Sequence, residues 1–276
     1  GKSIFMSKIE SINEFVIKFA NVNGSGSASA NQMFAKGVFR SGIPVSPKNI
    51  FPSNIQGLPT WFEVRVSEKG YLGRKDGIDI FVAMNPQSYY QDLQELNPGG
   101  YFIYDSSWER KFDREDVNVL GIPLVKLCLE FPNLKQRLLF KNLVYVGALS
   151  FMLGIDKEIY IKLIEEQFKG KEKLIAPNIR ALEIGFEYAK ENLEDACDIR
   201  VKKSNKTDGL ILTSGNDAAG LGSVYGGATV CAWYPITPST SMAESFTNYC
   251  EDLRIDPETG KNNFAIIQAE DELAAV

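Results

Sequence analysis

Histidine is absent from all 276 residues. That removes the usual general base and the commonest metal ligand. Any chemistry must then use carboxylates, lysines, hydroxyls, a cofactor or residues of another chain. Cysteine is scarce and scattered: Cys128, Cys197, Cys231 and Cys250 form no C-x-x-C pair. Zinc and iron–sulfur sites need clustered thiolates, and a chain this long and apolar has no need of a disulfide framework. The four are read as reduced thiols. There is no basic excess either: 30 Lys and Arg stand against 35 Asp and Glu, a net charge of −5. A nucleic-acid partner needs a basic face, so none is expected. The longest apolar run, LVYVGALSFMLGI at 143–155, is too short to span a bilayer and reads as a buried helix. No membrane association is expected, and the cytoplasm is the expected location. The opening GKSIFMSKIES has no apolar core of signal-peptide length. Residues 1–11 are read as a leader, with Met6 as the native start.

What is present is the pattern of an α/β protein. INEFVIKFANV at 12–22 reads as a strand, NGSGSASAN as a glycine loop, and NQMFAKGVFRSG at 31–42 as a helix. Strand, loop and helix make half of a Rossmann unit. IPVSPKNIFPSNIQGLP at 43–59 is rich in turn residues. TWFEVRVSE at 60–68 alternates and predicts a half-buried strand. IDIFVAMNP at 78–86 predicts a central parallel strand. YYQDLQEL predicts a helix, and GGYFIYDSS at 99–107 and VNVLGIPL at 117–124 predict strands. Residues 135–194 read as three helices. The polar stretch 200–209 reads as a linker. Beyond it, 215–231 reads as a helix of small residues and CAWYPI as a strand end. TSMAESFTNYCEDL at 240–253 reads as a helix, NNFAIIQAE at 262–270 as a strand, and EDELAAV as the start of a helix. So few elements do not close an α/β domain, so the second domain is expected to be incomplete.

Three places could carry chemistry. Gly24 and Gly26 follow a strand and precede a helix, where backbone N–H groups can hold a phosphate. A full G-x-G-x-x-G is missing, so a tight βα turn is the ordinary alternative and a nicotinamide enzyme is disfavoured. Lys48, in SPKNIFPSN, sits in a proline-bounded loop. Its ammonium could receive a carboxylate or phosphate. Thr237, in YPITPSTSMAE, ends one strand at a proline corner, and Glu270 ends the next. In a parallel sheet both lie at the carboxyl edge, where ligands bind. The alternative for Glu270 is a helix cap, strengthened by Asp271 and Glu272 beside it.

GNDAAGLGSVYGGATVCAWYPITPSTSMAE with IIQAEDELAAV resembles the start of the α subunit of 2-oxoacid:ferredoxin oxidoreductases. NVNGSGSASANQMFAKGVFRSGIPVSPKNIFPSNIQGLPTWFEVRVSEKGY resembles the γ domain fused ahead of α, as in 2-oxoglutarate synthases. The resemblance implies a Rossmann-like γ domain with a parallel-rich sheet and closing helices over 12–199. A linker at 200–209 follows. The start of a thiamine-diphosphate pyrimidine-binding α/β domain then covers 210–276. It implies CoA-dependent oxidative decarboxylation of 2-oxoglutarate, or its reverse, with thiamine diphosphate shared with a β subunit. That subunit would hold Mg²⁺ and a [4Fe–4S] cluster, and ferredoxin would take the electrons. Glu270 would hydrogen-bond the aminopyrimidine N1′, and Thr237 the 2-oxo acid. Tyr234, Pro235 and Ile236 would wall the cofactor ring. Lys48 would meet the distal carboxylate, and Gly24 and Gly26 would be candidates for coenzyme A. A pyruvate or broad 2-oxoacid enzyme is the alternative within the family. A non-catalytic Rossmann-like assembly module is the alternative outside it.

Overall fold

Val16, Ile17, Phe19 and Ala20 are all buried, so the strand that carries them is covered on both faces. The computed structural model describes residues 7–22, 24–51 and 59–276. Met6 and the rest of the leader before residue 7 lie outside the described residues, as does 52–58 of the SPKNIFPSNIQGLPTW run. The chain forms two compact units, Gly1–Leu210 and Ile211–Val276.

The first unit runs β1 (Glu10–Ile12), β2 (Glu14–Asn21), α1 (Ser27–Arg40), β3 (Val45–Ile50), β4 (Thr60–Ser67) and β5 (Ile78–Ala83). It continues α2 (Tyr89–Glu95), β6 (Leu96–Asp105), β7 (Asn118–Ile122), α3 (Leu124–Leu127), α4 (Leu134–Leu153), α5 (Lys157–Gln167), α6 (Ile175–Asn192) and β8 (Asp198–Arg200). Six strands form one sheet in the order β3-β4-β2-β5-β6-β7. β2, β5, β6 and β7 are parallel, and β4 and β3 add antiparallel at one edge. Both faces of the parallel part are covered, as such sheets require. On one face Phe19 packs against Phe34 of α1 and Tyr145 of α4. On the other, Val16, Ala20, Phe81 and Phe102 form a core with Leu93 of α2 and Phe112.

Three expectations need correction here. The turn-rich 43–59 stretch contains a strand, β3, with Pro47 and Lys48 inside it. Proline lacks the N–H that a central strand would use, but β3 is an edge strand and tolerates it. β4 is not half-buried. Its polar face is covered because Arg74, from the following loop, donates two hydrogen bonds to buried Glu63 at 3.0 and 2.9 Å. Arg65 donates to the Gly73 carbonyl at 2.7 Å from the same face. The leader and linker readings also meet ordered structure. Glu10–Ile12 pairs in parallel with Asp198–Arg200. Ser204 and Lys206 donate backbone hydrogen bonds to the carbonyls of Ser41 and Gly42.

Beneath α2 lies a buried acid. Asp92 is fully buried and accepts from Trp61 Nε1 and Ser88 Oγ, each at 2.8 Å. Burial pushes its carboxyl up to about 7, against the two hydrogen bonds and Lys18, which pull it down. Lys18 itself is bonded to Glu95. A folded-state value above the unfolded one of about 3.9 means that the folded chain holds this proton more tightly. The stability it contributes is full below about pH 4 and is lost as pH rises through 7. Asp92→Asn cannot ionise. It is expected to gain on wild type by about 2–4 kcal/mol between pH 4 and 8. Denaturant unfolding of both proteins across that range is the check. A constant difference would mean that the Asp92 carboxyl is not raised.

The second unit runs α7 (Gly215–Tyr225), β9 (Val230–Trp233), α8 (Thr240–Leu253) and β10 (Ala265–Gln268). β9 and β10 pair in parallel, Val230 opposite Ala265 and Trp233 opposite Gln268. Cys231 and Ile266 face a small core of Val224, Phe246 and Cys250. The small residues of α7 serve a close approach: a Cβ on Gly220 would stand 2.8 Å from the Phe246 nitrogen of α8. Two expectations are corrected. The helix read over 215–231 ends at Tyr225, because Gly226 and a left-handed Gly227 turn the chain into β9. Residues 271–276 form turns, not a helix.

Candidate functional site

The proline corner is built by hydroxyls turned onto backbone. Ser239 Oγ and Thr240 Oγ1 donate to the Ile236 carbonyl at 2.9 and 3.2 Å. Ser241 Oγ donates to the Pro238 carbonyl at 3.2 Å. Asn216, from the first turn of α7, donates to the same carbonyl at 2.8 Å and to Ser241 Oγ at 2.7 Å. That turn is itself fixed by a capping box between Ser214 and Asp217. Three of the four hydroxyls near the corner are thus spent on its shape. Among the described residues, the fourth, on Thr237, makes no hydrogen bond. Thr237 is exposed and precedes Pro238 through a cis peptide. Tyr234 is half-buried, and Pro235 and Ile236 are exposed.

The strand pairing brings Glu270 to the same edge. β9 ends at Trp233 and β10 at Gln268, opposite one another, and the Ala269 N–H donates to the Trp233 carbonyl at 2.8 Å. Thr237 and Glu270 therefore follow the carboxyl ends of two adjacent parallel strands, the position at which open α/β sheets take ligands. The capping alternative for Glu270 belongs to its neighbour. Asp271 Oδ1 accepts from the Ala274 N–H at 2.7 Å. Among the described residues the Glu270 carboxylate has no hydrogen bond and no ion pair. Sequence reasoning missed Asn216, which positions the corner from another element. Its signal was the S-x-x-D spacing at 214–217.

The other two places lie in the first unit. Gly24 and Gly26 have φ of +73° and +75°, a conformation that favours glycine. The turn is held by Ser25 N–H and Oγ on the Val22 carbonyl, by Ser27 Oγ accepting from the Val22 N–H, and by Asn142 on the Ser25 carbonyl. No side chain caps α1, and no acid occupies its first turn. The loop is thus a tight βα turn that leaves a helix N-terminus uncapped. Lys48 is exposed in edge strand β3, not in a loop, and stands opposite Glu63. Arg74 takes the Glu63 carboxylate, and among the described residues Lys48 has no ion pair.

Among the described residues no group of three or more Cys, Asp or Glu could hold a metal. Burial pushes the Cys128 and Cys197 thiols up to about 11, which keeps them protonated. No described helix is long and apolar enough to cross a membrane.

The pattern of the family described as pyruvate ferredoxin/flavodoxin oxidoreductase matches residues 16–188. That of its thiamine-diphosphate-binding domain matches 222–276. The α subunit of 2-oxoacid:ferredoxin oxidoreductase 2 from Aeropyrum pernix is 24% identical over 298 residues, covering 92% of this chain and 46% of its own. A solved 2-oxoglutarate:ferredoxin oxidoreductase from Magnetococcus marinus, with 2-oxoglutarate, coenzyme A and succinyl-CoA bound, is 30% identical with a TM-score of 0.76. It covers 95% of this chain and 44% of its own. The γ subunit of a keto/oxoacid ferredoxin oxidoreductase from Geobacter sulfurreducens shares the fold, at 19% identity and a TM-score of 0.53. That match covers 64% of this chain and 99% of the γ subunit. This chain thus spans just under half the length of the curated relatives and of the Magnetococcus protein.

Proposed function

Because the chain belongs to the pyruvate ferredoxin/flavodoxin oxidoreductase family, we propose that it is the γ–α part of a 2-oxoacid:ferredoxin oxidoreductase acting on 2-oxoglutarate. Residues 12–199 are the γ domain, 200–209 the connection, and 210–276 the beginning of the thiamine-diphosphate pyrimidine domain. The likeness to the Magnetococcus protein, solved with 2-oxoglutarate and coenzyme A bound, supports the substrate class.

One observation carries the reading. Thr237 and Glu270 are functional groups without partners among the described residues, and they follow paired strand ends. A Glu270 carboxyl free of its own turn fits a cofactor that needs a proton held at one ring nitrogen. When bound, thiamine diphosphate supplies the nucleophilic carbon that attacks the 2-oxo group and accepts the electrons left by decarboxylation. The chain's own side chains do the rest. Glu270 holds a proton at the aminopyrimidine N1′. Thr237 Oγ1 donates to the 2-oxo acid. Tyr234, Pro235 and Ile236 form the apolar wall beside the ring, and the exposure of Ile236 fits a surface completed by another chain. Lys48 meets the distal carboxylate, and the N-terminus of α1 behind Gly24 and Gly26 faces a coenzyme A phosphate. Mg²⁺ and the [4Fe–4S] cluster belong to a β subunit, ferredoxin takes the electrons, and the assembly works in the cytoplasm.

The test is turnover of the full-length subunit co-expressed with its β partner. CoA-dependent reduction of a low-potential dye is expected with 2-oxoglutarate, at a kcat/KM at least about tenfold above that for pyruvate. Preference for pyruvate would move the assignment within the family. Silence with every 2-oxo acid would remove it.

A further inference from the structure

The two carbonyls on either side of Thr237 are both anchored, by different means. That of Ile236 is held from within the corner, by the hydroxyls of Ser239 and Thr240 and by the Thr240 N–H. That of Pro238 takes its hydrogen bonds from the side chains of Ser241, at 3.2 Å, and Asn216, at 2.8 Å. Asn216 also donates to Ser241 Oγ at 2.7 Å, so one amide grips the carbonyl directly and through the hydroxyl. A carbonyl can only accept, which fixes the amide nitrogen on that side. Asn216 comes from α7, 22 residues before Pro238, and its own place is fixed. Asp217 beside it completes the capping box with Ser214 and accepts from Ser245 Oγ of α8. One turn further on, Gly220 lets α7 and α8 approach closely. The family patterns end at 188 and resume at 222, so they do not reach Asn216.

We propose that Asn216 is a positioning residue for Thr237: through its two hydrogen bonds it sets where the Thr237 hydroxyl meets a 2-oxo acid. The proposal rests on the role given to Thr237 above. Among the described residues the exposed Thr237 hydroxyl has no hydrogen bond, so the backbone alone directs it. Pro235 and Pro238 fix two φ angles, and the anchored carbonyls fix the peptide planes between which Thr237 stands. A group misplaced by about 1 Å can cost about 10²-fold in rate. The role needs a donor, because both of the atoms that Asn216 reaches are oxygens. Aspartate has the size of asparagine, but when ionised it donates nothing and repels the Pro238 carbonyl.

The test uses the full-length subunit with its β partner. It reads turnover of 2-oxoglutarate and, without turnover, amide hydrogen exchange. Asn216→Ala should lower kcat/KM at least about tenfold, and Asn216→Asp by as much at about pH 8. Ser241→Ala should cost less, since it leaves the bond from Asn216 to Pro238. On a Thr237→Val background Asn216→Ala should cost no more than about twofold, because the group that it places is gone. Exchange in the YPITPSTSMAE peptide, 234–244, should be several-fold faster in Asn216→Ala and unchanged across the first unit. Thermal midpoints and bound thiamine diphosphate are measured for every variant. If Asn216→Ala does not fold, Asn216→Asp and Ser241→Ala complete the same cycle with Thr237→Val. Losses from Asn216→Ala and Thr237→Val that multiply would make Asn216 a support of α7 alone. The proposal then falls while Thr237 keeps its role. Wild-type activity or wild-type exchange in Asn216→Ala overturns it in the same way. Full turnover by Thr237→Val, or none by wild type with any 2-oxo acid, removes the role of Thr237 and the proposal with it.

Discussion

Glu270→Gln is expected to lower turnover of the assembled enzyme by about 10²–10⁴-fold while thiamine diphosphate remains bound. Glutamine keeps the size of the side chain and one acceptor oxygen, so the surface is preserved. It cannot give or take a proton at the aminopyrimidine, and that is the whole of the role proposed for Glu270. The loss should therefore appear in kcat, with bound cofactor, read as thiochrome fluorescence of the denatured protein, close to wild type. The control lies one residue on. Asp271 holds the turn through the Ala274 N–H, so Asp271→Asn should change activity only a few-fold. If both substitutions cost the same, Glu270 is one acid among several in a turn, and the site falls. If Glu270→Gln keeps full activity, proton exchange at that position is not needed.

This contrast between neighbouring acids was not legible in the sequence. QAEDE offers three acids in five residues, and an acid after a strand reads equally well as a cap or as a proton carrier. Asp271 takes the capping role because its carboxylate reaches an N–H three residues on, a matter of turn geometry. The same holds for the hydroxyls after YPI. Four follow within six residues, and only their contacts show that Ser239, Thr240 and Ser241 hold backbone while Thr237 does not. The order of the two residues on successive strand ends was legible, because β9 and β10 carry short apolar runs with a helix between them.

The fold divides in the same way. β2, β5 and β6 announce themselves as short apolar runs, the mark of parallel strands covered on both faces, and the long helices by the length of their apolar pattern. β3 hid because Pro47 reads as a turn unless one knows that the strand lies at an edge. The second face of β4 hid because its cover, the loop of Tyr71, Gly73 and Arg74 that meets Arg65 and Glu63 of the strand, is not a regular element. The end of α7 was marked by Gly226-Gly227 but masked by small residues that ran on past it.

Lys48→Ile is expected to lower kcat/KM for 2-oxoglutarate by about 10²-fold and to leave that for pyruvate within a few-fold. A cation that meets only the distal carboxylate acts on the substrate that has one, and loss of such a pair costs roughly 3 kcal/mol. The strand register names the group that could compete for Lys48. Lys48 stands across from Glu63, and Glu63 would be its natural partner. Two hydrogen bonds from Arg74 occupy that carboxylate instead, and among the described residues no acid pairs with the Lys48 ammonium. Arg74→Ala should therefore turn Glu63 toward Lys48 and reduce selectivity for 2-oxoglutarate without touching Lys48 itself. Lys48→Arg should restore part of what isoleucine loses, since it keeps the charge but not the reach. Steady-state kinetics of the three variants on both substrates decide the matter. Equal losses on 2-oxoglutarate and pyruvate would place Lys48 in the scaffold of edge strand β3, and the distal carboxylate would need another cation.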